Sequence, residues 1–188
     1  MKNIIIFASG SGTNAENLVN YYSNKEHAMV SHIFTNNPNA KVIERASRLK
    51  VPIHIFTKDE MNNGSLLNCI VELKTDLIVL AGFLWLIPEN IIKAFPNRII
   101  NIHPALLPAY GGKGMYGMKV HESVVSNHEK ETGITVHYVN EKYDDGAVIL
   151  QEYCRVLADD IANSVAEKIH QLEYKYFPIA VDKIIELL

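Results

Sequence analysis

The sequence predicts an α/β fold: a doubly wound, mostly parallel sheet that ends in an antiparallel C-terminal strand pair and a long C-terminal helix. Three observations carry this. Short apolar runs at Ile4–Phe7, Val30–Phe34, Pro52–Phe56, Leu77–Ala81 and Ile99–Ile102 alternate with helical patterns, the rhythm of repeated βαβ units. The run Leu77-Ile78-Val79-Leu80-Ala81 is apolar at every position, which suits a strand covered on both faces in a parallel sheet. The rhythm then changes: Ile134–Val139 and Ala147–Tyr153 are strand candidates joined by a polar loop with no helix between, so they are expected to pair antiparallel.

Taken in order, the first run enters Ala8-Ser9-Gly10-Ser11-Gly12-Thr13-Asn14-Ala15 and then a helical pattern. The stretch Pro104–Gly117, with four glycines and two prolines, is the longest irregular segment, and a loop of that length in a compact domain is more often functional than idle. Beyond Asp159, the spacing of Ile161, Val165, Ile169 and Leu172 is helical. Asp159 or Asp160 is placed to cap that helix, and Pro178 is expected to kink it. No repeat or linker divides the chain, so one domain over 1–188 is expected.

Composition narrows the function. A chain of 188 residues, 48% hydrophobic and 21% charged, can bury one full-sized core. Eighteen basic against 21 acidic residues, a formal charge of −3, leave no basic excess for a phosphate backbone, so nucleic acid is not expected as a partner. Two isolated cysteines, Cys69 and Cys154, are too few for a disulfide framework, which fits a reducing cytoplasm. No apolar stretch approaches the roughly 20 residues of a membrane span, and the first run is too short for a secretion signal.

The glycine loop presents backbone N–H groups and the positive end of a helix, an arrangement suited to an anion. Gly10-x-Gly12-x-x-Ala15 fits the dinucleotide pattern formally, but the acid that would hold a ribose after the second strand is missing, and Thr35-Asn36-Asn37 stands there. With Ser9, Ser11 and Thr13 around it, the loop reads as a cradle for a lone phosphate; a tight structural turn is the alternative.

The run Ile99–Ile102 leads into Asn101-Ile102-His103-Pro104. A strand's two-residue period puts Asn101 and His103 on one side, at the carboxyl end where open parallel sheets bind ligands. An amide beside an imidazole suits acyl transfer, the amide N–H stabilising an oxyanion and the imidazole moving protons near neutral pH. The loop Asn140–Gly146 offers Glu141, Asp144 and Asp145, among which position alone does not choose, and ordinary turn chemistry also explains Asp-Asp-Gly.

Ala8–Asn14, Leu80-Ala81-Gly82-Phe83-Leu84, Asn101–Pro108, Gly133–His137 and Asp144–Gln151, in this order and across nearly the whole chain, resemble the folate-dependent formyltransferases of purine synthesis, with their Rossmann-like fold. The resemblance implies transfer of the formyl group of 10-formyltetrahydrofolate to the amine of 5'-phosphoribosylglycinamide, with no metal. It implies that Asn101 stabilises the formyl oxygen, that His103 is the general acid/base, and that Asp144 tunes His103 and orders water. A neighbouring carboxylate would raise the pKa of His103. Gly12, Thr13, Asn14, Ala15 and Glu16 would hold the phosphate, and Glu173 the ribose. Leu84, Trp85, Leu86 and Ile87 would line the pterin pocket, facing Val139 and Asn140. The protein would act as a monomer or homodimer on small molecules.

The chain departs from the common pattern at Trp85, where many members carry arginine, at His170, where glutamine is frequent, and at Met61–Gly64, which lacks an arginine. Its folate tail is therefore expected to be held differently. The glycines of Gly111–Gly117 suggest a flap over the amine substrate. His103, His121, His137 and His170 show no metal-ligand spacing, and structural hydrogen bonding is the expected role of His121 and His137. The other readings are formyl transfer to a methionyl-tRNA, hydrolysis of formyl-folate, and a non-catalytic nucleotide-binding module for which the glycine loop would suffice.

Overall fold

The structure, a computed structural model, describes residues 1–188. Seven strands occur, β1 (Lys2–Phe7), β2 (Ala28–Thr35), β3 (Ile53–Ile55), β4 (Leu77–Leu80), β5 (Ile99–His103), β6 (Glu131–Tyr138) and β7 (Val148–Arg155). They form one sheet in the order β3-β2-β1-β4-β5-β6-β7. β1 to β5 run parallel, while β6 is antiparallel to β5 and β7 to β6. The helices are α1 (Thr13–Tyr22), α2 (Val42–Leu49), α3 (Lys58–Asn63), α4 (Ser65–Glu72), α5 (Glu89–Ala94), α6 (Met118–Ser126) and α7 (Ala162–Leu187).

The two-residue period of β1 divides the core. Ile4, Ile6 and Ala8 pack on one face with Leu18 of α1, Val124 of α6 and Ile169 of α7. Ile5 and Phe7 pack on the other with Met61 of α3, Ile70 of α4 and Ile91 of α5. This is why the central runs are apolar at every position, each fully buried Ile or Phe contributing roughly 1.5–3 kcal/mol. The strand order reverses between β1 and β4, so the loops leaving their carboxyl ends diverge and open a crevice. The Ser9 N–H donates to the Gly82 carbonyl at 3.0 Å and ties the two loops at its root.

Two local details, the start of β6 and the cap of α7, differ from expectation. β6 starts at Glu131, ahead of the apolar run, because Glu131–Gly133 find partners in Tyr153–Arg155. Neither Asp159 nor Asp160 caps the last helix. It starts after Ile161, whose N–H donates to Ser164 Oγ at 3.0 Å, while Asp160 is drawn away to the Leu157 N–H (2.7 Å), the Ser164 hydroxyl (2.8 Å) and Lys168. α7 continues unbroken through the buried Pro178. The proline supplies no N–H to the carbonyl of Tyr174, and Asn17 Nδ2 of α1 donates to that carbonyl instead, at 2.9 Å. No helix is long and apolar enough to cross a membrane.

Candidate active site

The β1 loop reaches α1 through Gly12, which has φ 73°. A Cβ there would lie 2.4 Å from Val42 Cγ2, so only glycine combines this left-handed turn with the close approach of α2. The first N–H groups of α1, those of Thr13, Asn14 and Ala15, have no acceptor inside the helix and stand at its positive end. Asn14 Nδ2 donates to Glu173 Oε2 of α7 at 2.9 Å, leaving the buried Asn14 Oδ1 without a partner.

On the other side of the crevice, β5 delivers Asn101 and the buried His103. His103 Nε2 lies 2.8 Å from the Tyr110 carbonyl, an acceptor only, so the proton sits on Nε2. Nδ1 then faces Asp144 Oδ2 at 3.5 Å. Asp144 adopts φ 54°, a left-handed conformation that aspartate tolerates and that turns its carboxylate inward. Its Oδ2 accepts the Gly112 N–H at 2.9 Å, and its Oδ1 accepts from Asn101 Nδ2 at 3.4 Å. Asp145 points outward to Asn140 and Lys142.

His137 completes the cluster. The β5–β6 register sets it opposite Asn101. Its Nδ1–H donates to the Tyr138 carbonyl at 2.8 Å, leaving Nε2 to accept from Asn101 Nδ2 at 3.1 Å, 3.6 Å from Asp144 Oδ1. It forms the hydrogen bonds expected of a structural histidine, but within the site. Alternation on its strand was visible in the sequence; its register against Asn101 was not.

A cavity of about 580 Å³ joins these parts, with Gly10–Asn14 at one end, Asn101, His103 and Asp144 at the other, and His121, His170 and Glu173 along the wall. Gly112–Gly117 border it as well. A smaller cleft of about 50 Å³ shares Asn101, Asp144, Tyr143 and Phe83, and is otherwise walled by Leu80, Trp85, Leu86, Ile87, His137, Val139 and Lys142. Trp85 is buttressed by Phe56 and Phe83 at ring separations of 6.1 and 6.4 Å.

The model of the family described as "Formyl transferase" matches residues 2–181. The chain belongs to this formyl transferase family. It is 36% identical to the chloroplastic phosphoribosylglycinamide formyltransferase of Arabidopsis thaliana, over 98% of its own length and 66% of that protein's. It is 35% identical to the Bacillus subtilis phosphoribosylglycinamide formyltransferase, covering 100% of itself and 96% of that relative. The crystal structure of glycinamide ribonucleotide transformylase 1 from Geobacillus kaustophilus superposes with a TM-score of 0.88 at 34% identity, over 98% of this chain and 99% of that one.

The formyl transferase site is electrostatically uneven. Burial, the largest influence, pushes the pKa of His103 below that of an ordinary histidine, against the opposing charge of Asp144 and the hydrogen bond to Tyr110; His137 adds to the lowering. Asp144 thus pulls upward as expected, but burial outweighs it. Burial also raises the Asp144 carboxyl, yet the neighbouring His137 and His103 rings and the Gly112 N–H hold it below the usual carboxylate range. Glu173 is pushed up to about 7 by burial, with Asn14 opposing.

Not every expected residue reaches the formyl transferase cavity. Gly12, Thr13, Asn14 and Glu173 line it. Ala15 is fully buried in the core, and the Glu16 carboxylate turns away to pair with Arg45 and Arg48, its N–H donating to the Gly12 carbonyl. Leu84 faces the larger cavity in place of the smaller cleft. Asn140 borders neither, because its side chain closes the turn by donating to Asp145 at 3.2 Å.

Proposed function

We propose that the chain transfers the formyl group of 10-formyltetrahydrofolate to the amine of 5'-phosphoribosylglycinamide, releasing tetrahydrofolate and formylglycinamide ribonucleotide. One observation carries this reading: a single cavity runs from an open helix N-terminus, fit for a phosphate, to the cluster of Asn101, His103 and Asp144. The names of the relatives, at full-length match to the Bacillus subtilis protein, support the same substrate.

In this reading the phosphate sits at Gly12, Thr13 and Asn14, the ribose near Glu173, and the pterin in the cleft of Trp85, Leu86, Ile87 and Val139. The substrate amine attacks the formyl carbon. Because burial keeps His103 neutral and its Nε2 proton is held by Tyr110, Nδ1 is the free base, and it takes the proton the attacking amine loses. The imidazolium so formed is stabilised by Asp144 and returns the proton to the folate N10 as the C–N10 bond breaks. Asn101 Nδ2 stabilises the formyl oxygen by exchanging its long, 3.4 Å contact with Asp144 for that oxygen. Base catalysis therefore precedes acid catalysis on the same nitrogen.

The test is to mix the purified protein with both compounds and follow tetrahydrofolate. Turnover that is lost in His103→Ala is the expected result. No turnover overturns the transfer reading, and turnover unaffected by His103→Ala overturns the proton path.

A further inference from the structure

Most buried titratable side chains of this molecule are engaged. Tyr22 meets Asp182 at 2.7 Å, Glu173 meets Asn14, and His103 and His137 are held as described. His121, on α6, is the exception. It is 3% exposed, its Nδ1 is sealed without any partner, and its Nε2 likewise has none within the protein, although the residue lines the larger cavity.

We propose that His121 Nε2 donates a hydrogen bond to an oxygen of the phosphoribosyl portion of the amine substrate, so that His121 is a specificity-determining residue of the cavity. The inference rests on the phosphoribosyl reading given above. A sealed ring nitrogen without an acceptor is better left as a bare lone pair than as a buried N–H, so the proton belongs on Nε2, the nitrogen free to meet a ligand. Burial, followed by the neighbouring His170 and His103, holds the ring down at about 4, so near neutral pH it is an uncharged donor and not an ion-pair partner.

Its place in the cavity selects the part of the substrate it meets. The amine must lie at His103 and the phosphate at the α1 N-terminus. His121 lines the cavity with His103 and His170 as neighbours, and Glu173, one turn beyond His170 on α7, is bonded to Asn14 at the phosphate end, so His121 meets the part of the substrate between, where the available acceptors are the hydroxyls, ring oxygen and phosphate oxygens of the sugar phosphate.

Ribose 5-phosphate is the probe, because it carries these oxygens and nothing that reaches the reacting end. The parent, His121→Phe and His121→Gln are titrated with it calorimetrically. We expect His121→Phe, which keeps the ring volume but has no donor, to bind it roughly tenfold more weakly, and His121→Gln, which restores an N–H, to recover most of the affinity. In turnover the same loss falls on KM for the amine substrate and leaves KM for the folate in place. Equal affinity of His121→Phe and the parent overturns the role of His121 alone, whereas a parent that fails to bind ribose 5-phosphate overturns the phosphoribosyl reading itself. Should His121→Phe not fold, the ring ¹⁵N signals of His121 in the parent decide: a shift on addition of ribose 5-phosphate is expected, and unmoved signals overturn the proposal.

Discussion

Asp144→Asn isolates the charge in the proposed proton path. Asparagine is nearly the same size and tolerates the left-handed φ of 54°, and its carbonyl can still accept the Gly112 N–H, so the loop should keep its shape. What disappears is a negative charge 3.5 Å from His103 Nδ1. At an effective dielectric of about 20, a carboxylate and an imidazolium at that separation attract by about 5 kcal/mol. Asp144 is partly reached by solvent, so about 3–4 kcal/mol is a fairer figure, equivalent to roughly 10²–10³ in rate if the imidazolium forms on the way to product. The assay is tetrahydrofolate release under saturating substrates across a pH series, with thermal unfolding as the control for fold. Removing Asp144 takes away the influence that raises His103, so any acid limb set by His103 moves to lower pH while the plateau falls. A variant that folds and keeps kcat within tenfold of the parent would refute the imidazolium step.

Gly12→Ala must place a Cβ against Val42 and hold φ near 73°, which together cost about 2–4 kcal/mol, and KM for the amine substrate rises as the α1 N-terminus shifts; unchanged thermal unfolding would contradict the close approach. Trp85→Ala removes the buttressed wall of the smaller cleft and raises KM for the folate about tenfold without touching KM for the amine substrate, and equal effects on both would dissociate that cleft from the folate. Glu173 has a folded pKa raised to about 7 from an ordinary 4.5, so the native state binds the extra proton and loses stability as pH climbs through that interval. Glu173→Gln is therefore more stable than the parent by up to roughly 3 kcal/mol at pH 8, with the difference vanishing below about pH 4.5, which denaturant unfolding at both pH values measures.

The parallel half of the sheet was legible in the sequence because its strands are covered on both faces, so that every position of Leu77–Leu80 is apolar and the run marks its own limits. The same pattern fails at the edge. β7 alternates exposed and half-buried residues, and β6 begins with the exposed Glu131, so hydrophobicity says little about where those strands start and stop. The helix cap failed for a different reason: a side chain such as Asp160 has several donors in reach, and Lys168, one further turn along α7, is invisible to a rule that looks only at the first turn.

The site divides in the same way. That Asn101 and His103 share a side follows from the two-residue period alone. That the carboxylate beside them is Asp144 and not Asp145 depends on one left-handed backbone conformation, for which aspartate is only one of several permitted residues, and composition therefore left the loop acids equal. His137 enters through the antiparallel register that sets it opposite Asn101, and His121 through the packing of α6 against α7. Both relations join segments far apart in the chain, and neither leaves a local pattern. A histidine on a strand or helix surface looks structural until its partners are known. For His137 the partner is Asn101, with Asp144 beside it, which draws it into the candidate catalytic cluster; for His121 the protein supplies none, and that is what points it to a ligand.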